Sequence, residues 1–570
     1  METLYENIPS DFESIDGLCD SEDEDVDISD VETRINHDVE LSEESDVGID
    51  SVDDSDNESN EILTVRLANS DGIWEKKSRS KDDTPFTTNS GPNIPDSAKT
   101  PLDIFLCLFP NELIELIVHQ TNLYSAQIEK KPFNVVTKDE ILKFLGLNIF
   151  MGVKKLPSYR DFWSRNELLH DTYVSNVMTV IRFGYLLSHF HLNDNSNEPK
   201  KGQPGFDKLY KIRPLLDKLS ETFKTCYKPN QYQSIDESMI RFEGRSSFKQ
   251  YMPMKLIKRG YKVWVRADES VFVCEFQIYV GKSDNNQLEK SLGSRVVKDL
   301  TRTIVGDNHR VFFDNFFTST ELMISLKTEN IMACGTVRSN RVGLPKTQKK
   351  DKDMVRGEHE FRSSYKGLVW LKWKDNRVVS LLSNFHDPSV TIDVNRRMKD
   401  GSTKIISCPE MVKEYNKHMG YVDKADMLKS LYEVDRKSKK WWLRIVWHFV
   451  DVCVTNAFII YKQSSSANNL SLKKFRLALV DGLIGGSVPT KKGRKRSSAD
   501  CAQTCKPQVS LEKRHASAAH MPQMIEEKKS RRCTHCSIKI NRRVTKWKCS
   551  TCNVPLCLLL DRNCFAEYHA

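Results

Sequence analysis

The stretch Arg310-Val311-Phe312-Phe313-Asp314-Asn315-Phe316-Phe317-Thr318-Ser319 decides the fold. A short apolar run of β-formers stops on a carboxylate, and residues 318–328 then have the composition of a helix. Upstream, Val271 to Val280, Tyr261 to Arg266 and Tyr232 to Phe242 are rich in β-branched and aromatic residues, and residues 288–304 have helical spacing. Strands alternating with helices predict an α/β core.

Outside this centre the texture changes. Residues 100–225 are expected to be mostly helical: Pro101 to Leu106 and Asn111 to Val118 carry helical apolar spacing. Thr137-Lys138-Asp139-Glu140 is a capping box ahead of the run Ile141 to Met151. From Ile331 to Val337, Gly367 to Trp373 and Arg377 to Asn384 the pattern is β. Helix returns at Pro409 to Tyr415 and runs with interruptions to Tyr461. A polar, basic stretch follows, with one short helix expected at Leu472 to Leu483. No internal repeat is visible. The expected organisation is a disordered acidic tail (1–99), a helical domain (100–225), a first core segment (226–329), a β-rich segment (330–408), a second core segment (409–465), a flexible basic linker (466–530) and a cysteine-rich module (531–570).

The net charge of +8 conceals an asymmetry. Residues 1–60 hold 23 Asp or Glu against one basic residue, Arg34, so they carry 1 − 23 = −22 and the rest carries 8 + 22 = +30. An acidic, aromatic-poor tail cannot bury enough apolar area to order itself. A basic body of this size suits a polyanionic partner, nucleic acid first, although a solvated surface would look the same. Mean hydropathy is −0.51. No run of about 18 apolar residues stands out, so no membrane partner is expected, and the N-terminus lacks the blocks of a signal peptide. Fifteen cysteines, six of them between Cys533 and Cys564, suit a reducing compartment.

Three aspartates lie beside apolar residues: Asp236 in Ser234-Ile235-Asp236-Glu237, Asp314 at the end of Val311-Phe312-Phe313, and Asp423 in Gly420-Tyr421-Val422-Asp423-Lys424-Ala425-Asp426. A carboxylate near a core is costly unless paired or bound to a metal. Carboxylates on two strand ends and a helix can converge, and a pair of divalent cations between them can activate a nucleophile and stabilise a leaving oxygen at phosphorus. Mg²⁺ suits that role through its preference for hard oxygens. Taken singly, each aspartate also has a structural reading: Asp314 as a strand-end cap, Asp423 and Asp426 as helix N-terminal charges.

The surrounding blocks resemble piggyBac transposases. Ser234 to Glu237, Gly244-Arg245, Tyr251-Met252-Pro253-Met254-Lys255 and Lys258 to Trp264 are similar to the family's first catalytic block. Phe313 to Ser319 resembles the second, and Met419 to Asp426 with Val434 to Trp442 resembles the third. Gly335-Thr336-Val337-Arg338 with Gly343-Leu344-Pro345 is similar to the insertion segment. The resemblance spans roughly 100–465 and 530–570. It implies an RNase H-like core interrupted by a β-rich insertion. It implies Asp236, Asp314 and Asp423 as holders of two Mg²⁺ or Mn²⁺ ions, with Asp426 as a fourth catalytic acid. It implies cleavage of double-stranded DNA at element ends by water, joining by the freed 3′-OH, TTAA targets, a homodimer and a nuclear location. A host-domesticated descendant would keep the fold and DNA binding without the chemistry. Two positions depart from the family: Tyr421 stands where it usually has glycine, and Leu256 where it often has proline. A backbone that needs φ > 0 at 421 would be hindered by the tyrosine.

Arg245, Lys255, Lys262 and Arg338 in these blocks are expected to face DNA, as are Arg436, Lys437, Lys439 and Lys440, cations that run into Trp441 and Trp442. Trp442 is expected in the core. Lys491, Lys492, Arg494, Lys495 and Arg496 form a patch suited to nuclear import or loose DNA anchoring. At the C-terminus, Cys533-x2-Cys536 and Cys549-x2-Cys552 precede Cys557, Cys564 and His569. Seven ligands are too many for one tetrahedral ion, so two Zn²⁺ in a cross-brace are expected, with His535 or a water at the eighth position. Arg542 and Arg543 between the knuckles suit DNA contact; a protein-recognition role is the alternative.

Overall fold

The computed structural model describes residues 74–128, 133–253, 255–281, 292–347, 349–397, 401–434, 436, 438, 440–464, 470–485, 520–525, 530–538 and 541–570. The acidic tail before Trp74, the basic patch Lys491 to Arg496, and Lys437 and Lys439 lie outside the described residues. Two compact units divide the chain between Val488 and Pro489.

Helices α1 (Pro101–Leu108), α2 (Asn111–Ile128), α3 (Lys138–Val153), α4 (Thr172–Val177), α5 (Val180–His189) and α6 (Arg213–Cys226) fill the N-terminal region. The capping box forms at α3: the Glu140 N–H donates to Thr137 Oγ1 at 3.3 Å and the Thr137 N–H donates to Glu140 Oε2 at 3.1 Å. Arg182 of α5 then pairs with Glu140 at 2.7 Å, so the cap also fastens two helices together.

The centre is a ten-stranded mixed sheet. Its strands are β1 (Trp74–Glu75), β2 (Tyr232–Arg241), β3 (Gln250–Tyr251), β4 (Arg259–Asp268), β5 (Val273–Ile278), β6 (Arg310–Phe313), β7 (Met332–Thr336), β8 (His359–Ser364), β9 (Val369–Lys374) and β10 (Val378–Ser383). The order is β1-β8-β9-β10-β7-β6-β2-β4-β3, with β5 also on β4. β2, β4 and β5 form an antiparallel meander; β2, β6 and β7 run parallel. The parallel steps require crossovers, supplied by α7 (Leu292–Thr301) before β6 and α8 (Thr320–Thr328) before β7.

Both faces of β6 are covered, which explains its unbroken apolar run. Val311 and Phe313 pack with Val296, Val297, Leu322 and Met323 of α7 and α8, whereas Phe312 packs on the opposite face with Met411 and Val412 of α9 (Glu410–His418). On that face α10 (Tyr421–Ser430) lies against β2, followed by α11 (Trp441–Ser464) and α12 (Leu472–Ile484). By length and composition α11 could cross a membrane, but its apolar length is buried inside the protein. Its residues share one hydrophobic core with α1 to α6, α10, α12 and the ends of β2, β4 and β5. Gly152 of α3 shows how close that approach is: a Cβ there would sit 2.3 Å from the Tyr432 carbonyl oxygen.

Three expected boundaries shift. Order does not start at Thr100: residues 74–92 form a strap, with β1 on β8 and the Asp82 N–H donating to the Phe385 carbonyl at 2.8 Å. Ion pairs hold it, Lys81 to Glu414 at 2.6 Å and Arg310 to Asp83 at 3.4 Å, and composition alone does not reveal such contacts. Residues 330–408 are β-rich, but β7 is a parallel strand of the central sheet and β8 to β10 extend it, while 391–397 and 403–409 form a separate ribbon. The C-terminal module begins by His520, because Pro522–Met524 pairs with Trp547–Cys549.

Candidate active site and C-terminal metal clusters

Strand register brings the first two aspartates together. Ile235 of β2 pairs in parallel with Phe313 of β6, so the next residues, Asp236 and Asp314, are side by side on strands about 4.8 Å apart. Ile235 and Phe313 point into the α7/α8 core, and alternation turns both aspartates to the other face. That face carries α10, where Asp423 sits in the first turn. Asp314 is fixed by its turn: the Phe316 N–H donates to Asp314 Oδ1 at 2.9 Å and Thr318 Oγ1 donates to the Asp314 carbonyl at 2.8 Å. Arg338 Nε reaches Asn315 Oδ1 at 3.0 Å, and Arg341 Nη2 donates to the Asn315 and Phe316 carbonyls at 2.9 and 3.0 Å. A Cβ at Gly335 would lie 2.3 Å from Thr318 Oγ1 and 2.8 Å from the Phe313 carbonyl oxygen, so only glycine fits beneath this turn.

The acids perturb one another. Burial pushes the Asp236 carboxyl up to about 8; Lys255 opposes the shift, and the charges of Asp423, Glu237 and Asp314 add to it. Burial also raises Asp314; Asp423, exposed on α10, is raised where its carboxyl turns toward the site, by desolvation and by the charges of Asp426 and Glu237. Burial works against the Lys255 ammonium, yet Asp236, Asp423, Glu237 and Asp314 together hold it above the usual lysine range. Lys255 therefore lies among the acids, with its neighbour Leu256 fully exposed. Tyr415 of α9 is raised by burial and by Asp314 and Asp236; nothing in its sequence context marks it as a neighbour of the site.

Asp426 is engaged differently. Its Oδ1 accepts from Ser238 Oγ at 2.8 Å and from Lys429 Nζ at 3.1 Å. Tyr421 opens α10, and it is not among the residues with positive φ; the Gly420 cap before it has φ −80°. The tyrosine therefore fits without glycine's freedom. Its hydroxyl bonds His418 Nδ1, and the His418 ring stacks on Tyr232 and Phe312.

The expected DNA-facing cations separate. Arg245 and Arg338 are exposed. Lys262 instead pairs with Glu237 at 3.0 Å, with both side chains about nine-tenths buried, and lies over the Phe316 ring at 4.8 Å. Arg436 turns inward: Nε donates to Asn148 Oδ1 at 3.1 Å, and the guanidinium lies over Tyr159 and Phe183, where burial lowers it to about 10. Lys440 donates to the Ser188 carbonyl between the rings of Tyr124 and Trp442. Trp442 is in the core, as expected.

In the second unit two ligand clusters form. Cys533, Cys536, Cys557 and Cys564 make one; His520, Cys549, Cys552 and His569 make the other, each with ligand atoms within 4.8 Å of one another. Among the described residues these are the groups of at least three His, Cys, Asp or Glu that close to that spacing. The eighth group placed to ligate is His520 rather than His535, which pairs with Glu567 at 3.1 Å. Edge lengths fit a tetrahedral ion. Bonds of about 2.3 Å to sulfur and 2.0 Å to nitrogen imply roughly 3.8 Å between sulfurs and 3.5 Å between sulfur and nitrogen. Cys536 and Cys557 sulfurs lie 3.8 Å apart, and His520 Nδ1 is 3.4 and 3.5 Å from Cys549 and Cys552. Arg542 is exposed and Arg543 half-buried beside this unit's knuckles.

A family model described as Transposase IS4 matches residues 100–458. The human PiggyBac transposable element-derived protein 3 is 31% identical over 484 residues, covering 83% of this chain and 76% of its own length. The human PiggyBac transposable element-derived protein 2 is 26% identical over 438 residues, 75% of this chain and 72% of its own. Among solved structures, a piggyBac transposase in a synaptic complex with hairpin DNA, determined by cryo-EM, aligns at 25% identity and TM-score 0.63. That alignment covers 82% of this chain and 98% of the other.

Proposed function

Given that the chain belongs to the piggyBac transposase family, we propose that it cuts and rejoins double-stranded DNA at the ends of a mobile element with TTAA-type targets. The observation that carries this reading is that β2 and β6 bring Asp236 and Asp314 side by side, and that the charges of Asp314 and of Asp423 on α10 both act on the buried Asp236 carboxyl. The order β5-β4-β2-β6-β7, antiparallel then parallel, supports an RNase H-like core. The acids fit a pair of Mg²⁺ or Mn²⁺ ions: they are hard oxygen donors, and their charges repel one another. Such ions, when bound, would lower the pKa of an attacking water or 3′-OH and neutralise charge at the leaving oxygen. The protein's own residues do the rest. The Asp314 turn, held by Arg338 and Arg341, fixes one acid. Exposed Arg245 and Arg338 contact phosphate, and Lys255 lies where a scissile phosphate meets the acids.

The C-terminal unit fits two structural Zn²⁺ ions and, with Arg542 and Arg543, contacts element-end DNA. A homodimer and nuclear entry through Lys491, Lys492, Arg494, Lys495 and Arg496 complete the proposal. The test is nicking and joining of DNA carrying the element's own ends, with Mg²⁺ or Mn²⁺. Activity in the wild type and its loss in Asp236→Ala supports the enzyme; equal, negligible activity in both on verified ends refutes it. A second reading, a DNA-binding descendant without chemistry, is favoured by the relatives' names as element-derived proteins. Decayed or missing inverted repeats around the gene would support it.

A further inference from the structure

We propose that Ser238, Lys429 and His448 are positioning residues that act through Asp426 to hold α10 against β2, so that Asp423 faces Asp236. The inference rests on the metal-site reading above.

The geometry is a ladder with two rungs. Ser238 is two residues beyond Asp236 on β2, hence on the same face of the strand. Asp426 is three residues beyond Asp423 on α10, hence on the same face of the helix. The Asp236–Asp423 rung is repulsive: two like charges face each other there, and the Asp423 charge raises the Asp236 carboxyl. The Ser238–Asp426 rung is attractive, a 2.8 Å hydrogen bond. It sets the distance at which the repulsive pair is held. Lys429, one further turn along α10, donates to Asp426 Oδ1 at 3.1 Å and to His448 Nδ1 of α11 at 3.1 Å. A neutral His448 with Nδ1 as acceptor is the form that fits the ammonium, and burial favours it. The chain of contacts thus runs from β2 through α10 to α11. A cavity of about 20 Å³ opens beside Ser238, Asp426, Lys429 and His448, room for about one water. At this gap the hydrogen bonds set the spacing, beside the core packing of Val422, Ala425 and Leu428.

Removing a partner that orients metal-binding groups costs about 10- to 100-fold in metal affinity. The experiment is Mn²⁺ binding to the full-length, zinc-loaded chain by electron paramagnetic resonance, with the component lost in Asp236→Ala taken as the catalytic site. Ser238→Ala and Lys429→Met should each weaken that component about tenfold or more, while Ser238→Thr restores it. Asp426→Asn, whose amide oxygen still accepts from Ser238, should bind more tightly than Asp426→Ala. If Ser238→Ala and Lys429→Met bind as wild type while both Asp426 variants lose the ion, Asp426 is itself a ligand and the proposal falls. Should Lys429→Met not fold, Ser238→Ala decides alone. If the wild type has no Asp236-dependent component, the active-site reading fails and this one with it. If that component exists and Ser238→Ala leaves it intact, only the positioning role fails.

Discussion

Replacing Arg476 by methionine isolates the most deeply buried ion pair among the described residues of the first unit. Arg476 and Asp451 are 0% and 2% exposed and joined by two N–H bonds of 3.0 Å to Asp451 Oδ1. Arg476 Nη1 also donates to the Tyr432 carbonyl at 2.6 Å, and Asp451 Oδ2 accepts the Val434 N–H at 2.8 Å. The pair therefore pins α12, α11 and the turn that leaves α10. Methionine keeps the bulk but leaves Asp451 with the Val434 bond alone. An uncompensated buried charge costs about 3–5 kcal/mol. The double variant Arg476→Met/Asp451→Leu removes the charge, a change worth up to ~4 kcal/mol in favour of folding. It also leaves the Val434 N–H without a partner, at a cost of about 1–3 kcal/mol. The double variant should therefore recover most of the loss, ending within about 2 kcal/mol of wild type. Urea titration followed by amide exchange in α12 reads both. An Arg476→Met within about 1 kcal/mol of wild type, or a double no better than the single, would refute the reasoning.

Gly335→Ala should abolish strand cleavage with a smaller loss of stability, because the added Cβ meets Thr318 Oγ1 and the Phe313 carbonyl under the Asp314 turn; cleavage rate against melting temperature separates the two. Burial pushes Glu414 up, but the His386 and Lys81 contacts prevail and hold it at about 2, against an ordinary 4.5. A lowered carboxylate stabilises the fold above the ordinary value and loses that contribution as pH falls through the lowered one. Amides of the 74–92 strap should therefore lose exchange protection between pH 4.5 and 2, more weakly in Lys81→Met. His520→Ala should release one of two zinc equivalents by chelator titration, whereas His535→Ala should release none. Deleting residues 1–60, with their net charge of −22, should tighten non-specific DNA binding at low salt, the two curves converging as the Debye length shrinks; identical curves would exclude an internal decoy.

The three aspartates stood out because each is a charge beside apolar residues, and the α/β core because β6 is too apolar for a half-wet strand. Partners supplied by distant parts of the chain were not legible. Lys262 is taken by Glu237 across the β2–β4 ladder. Arg436 is taken by rings of Tyr159 and Phe183, so neither cation is left for phosphate. His520 stands apart from the C-x2-C pattern and is brought beside Cys549, Cys552 and His569 by the pairing of 522–524 with 547–549. The strap is apolar-poor and depends on ion pairs across more than 300 residues, such as Lys81–Glu414. The end of the first core segment, placed at 329, cannot be read where β7 continues the sheet without a break in composition.

The shared core of α1 to α6 with α11 and α12 sets a schedule for synthesis. The last of the early helices ends at Cys226 and the last helix of that core at Ile484, so 484 − 226 = 258 residues separate them. At about 5–20 residues per second, the early helices wait roughly 13–50 seconds on the ribosome with an unfinished apolar face. Asp423 emerges within the same late stretch as the helices that complete that core. The nascent chain thus holds Asp236 and Asp314 long before it holds the third acid.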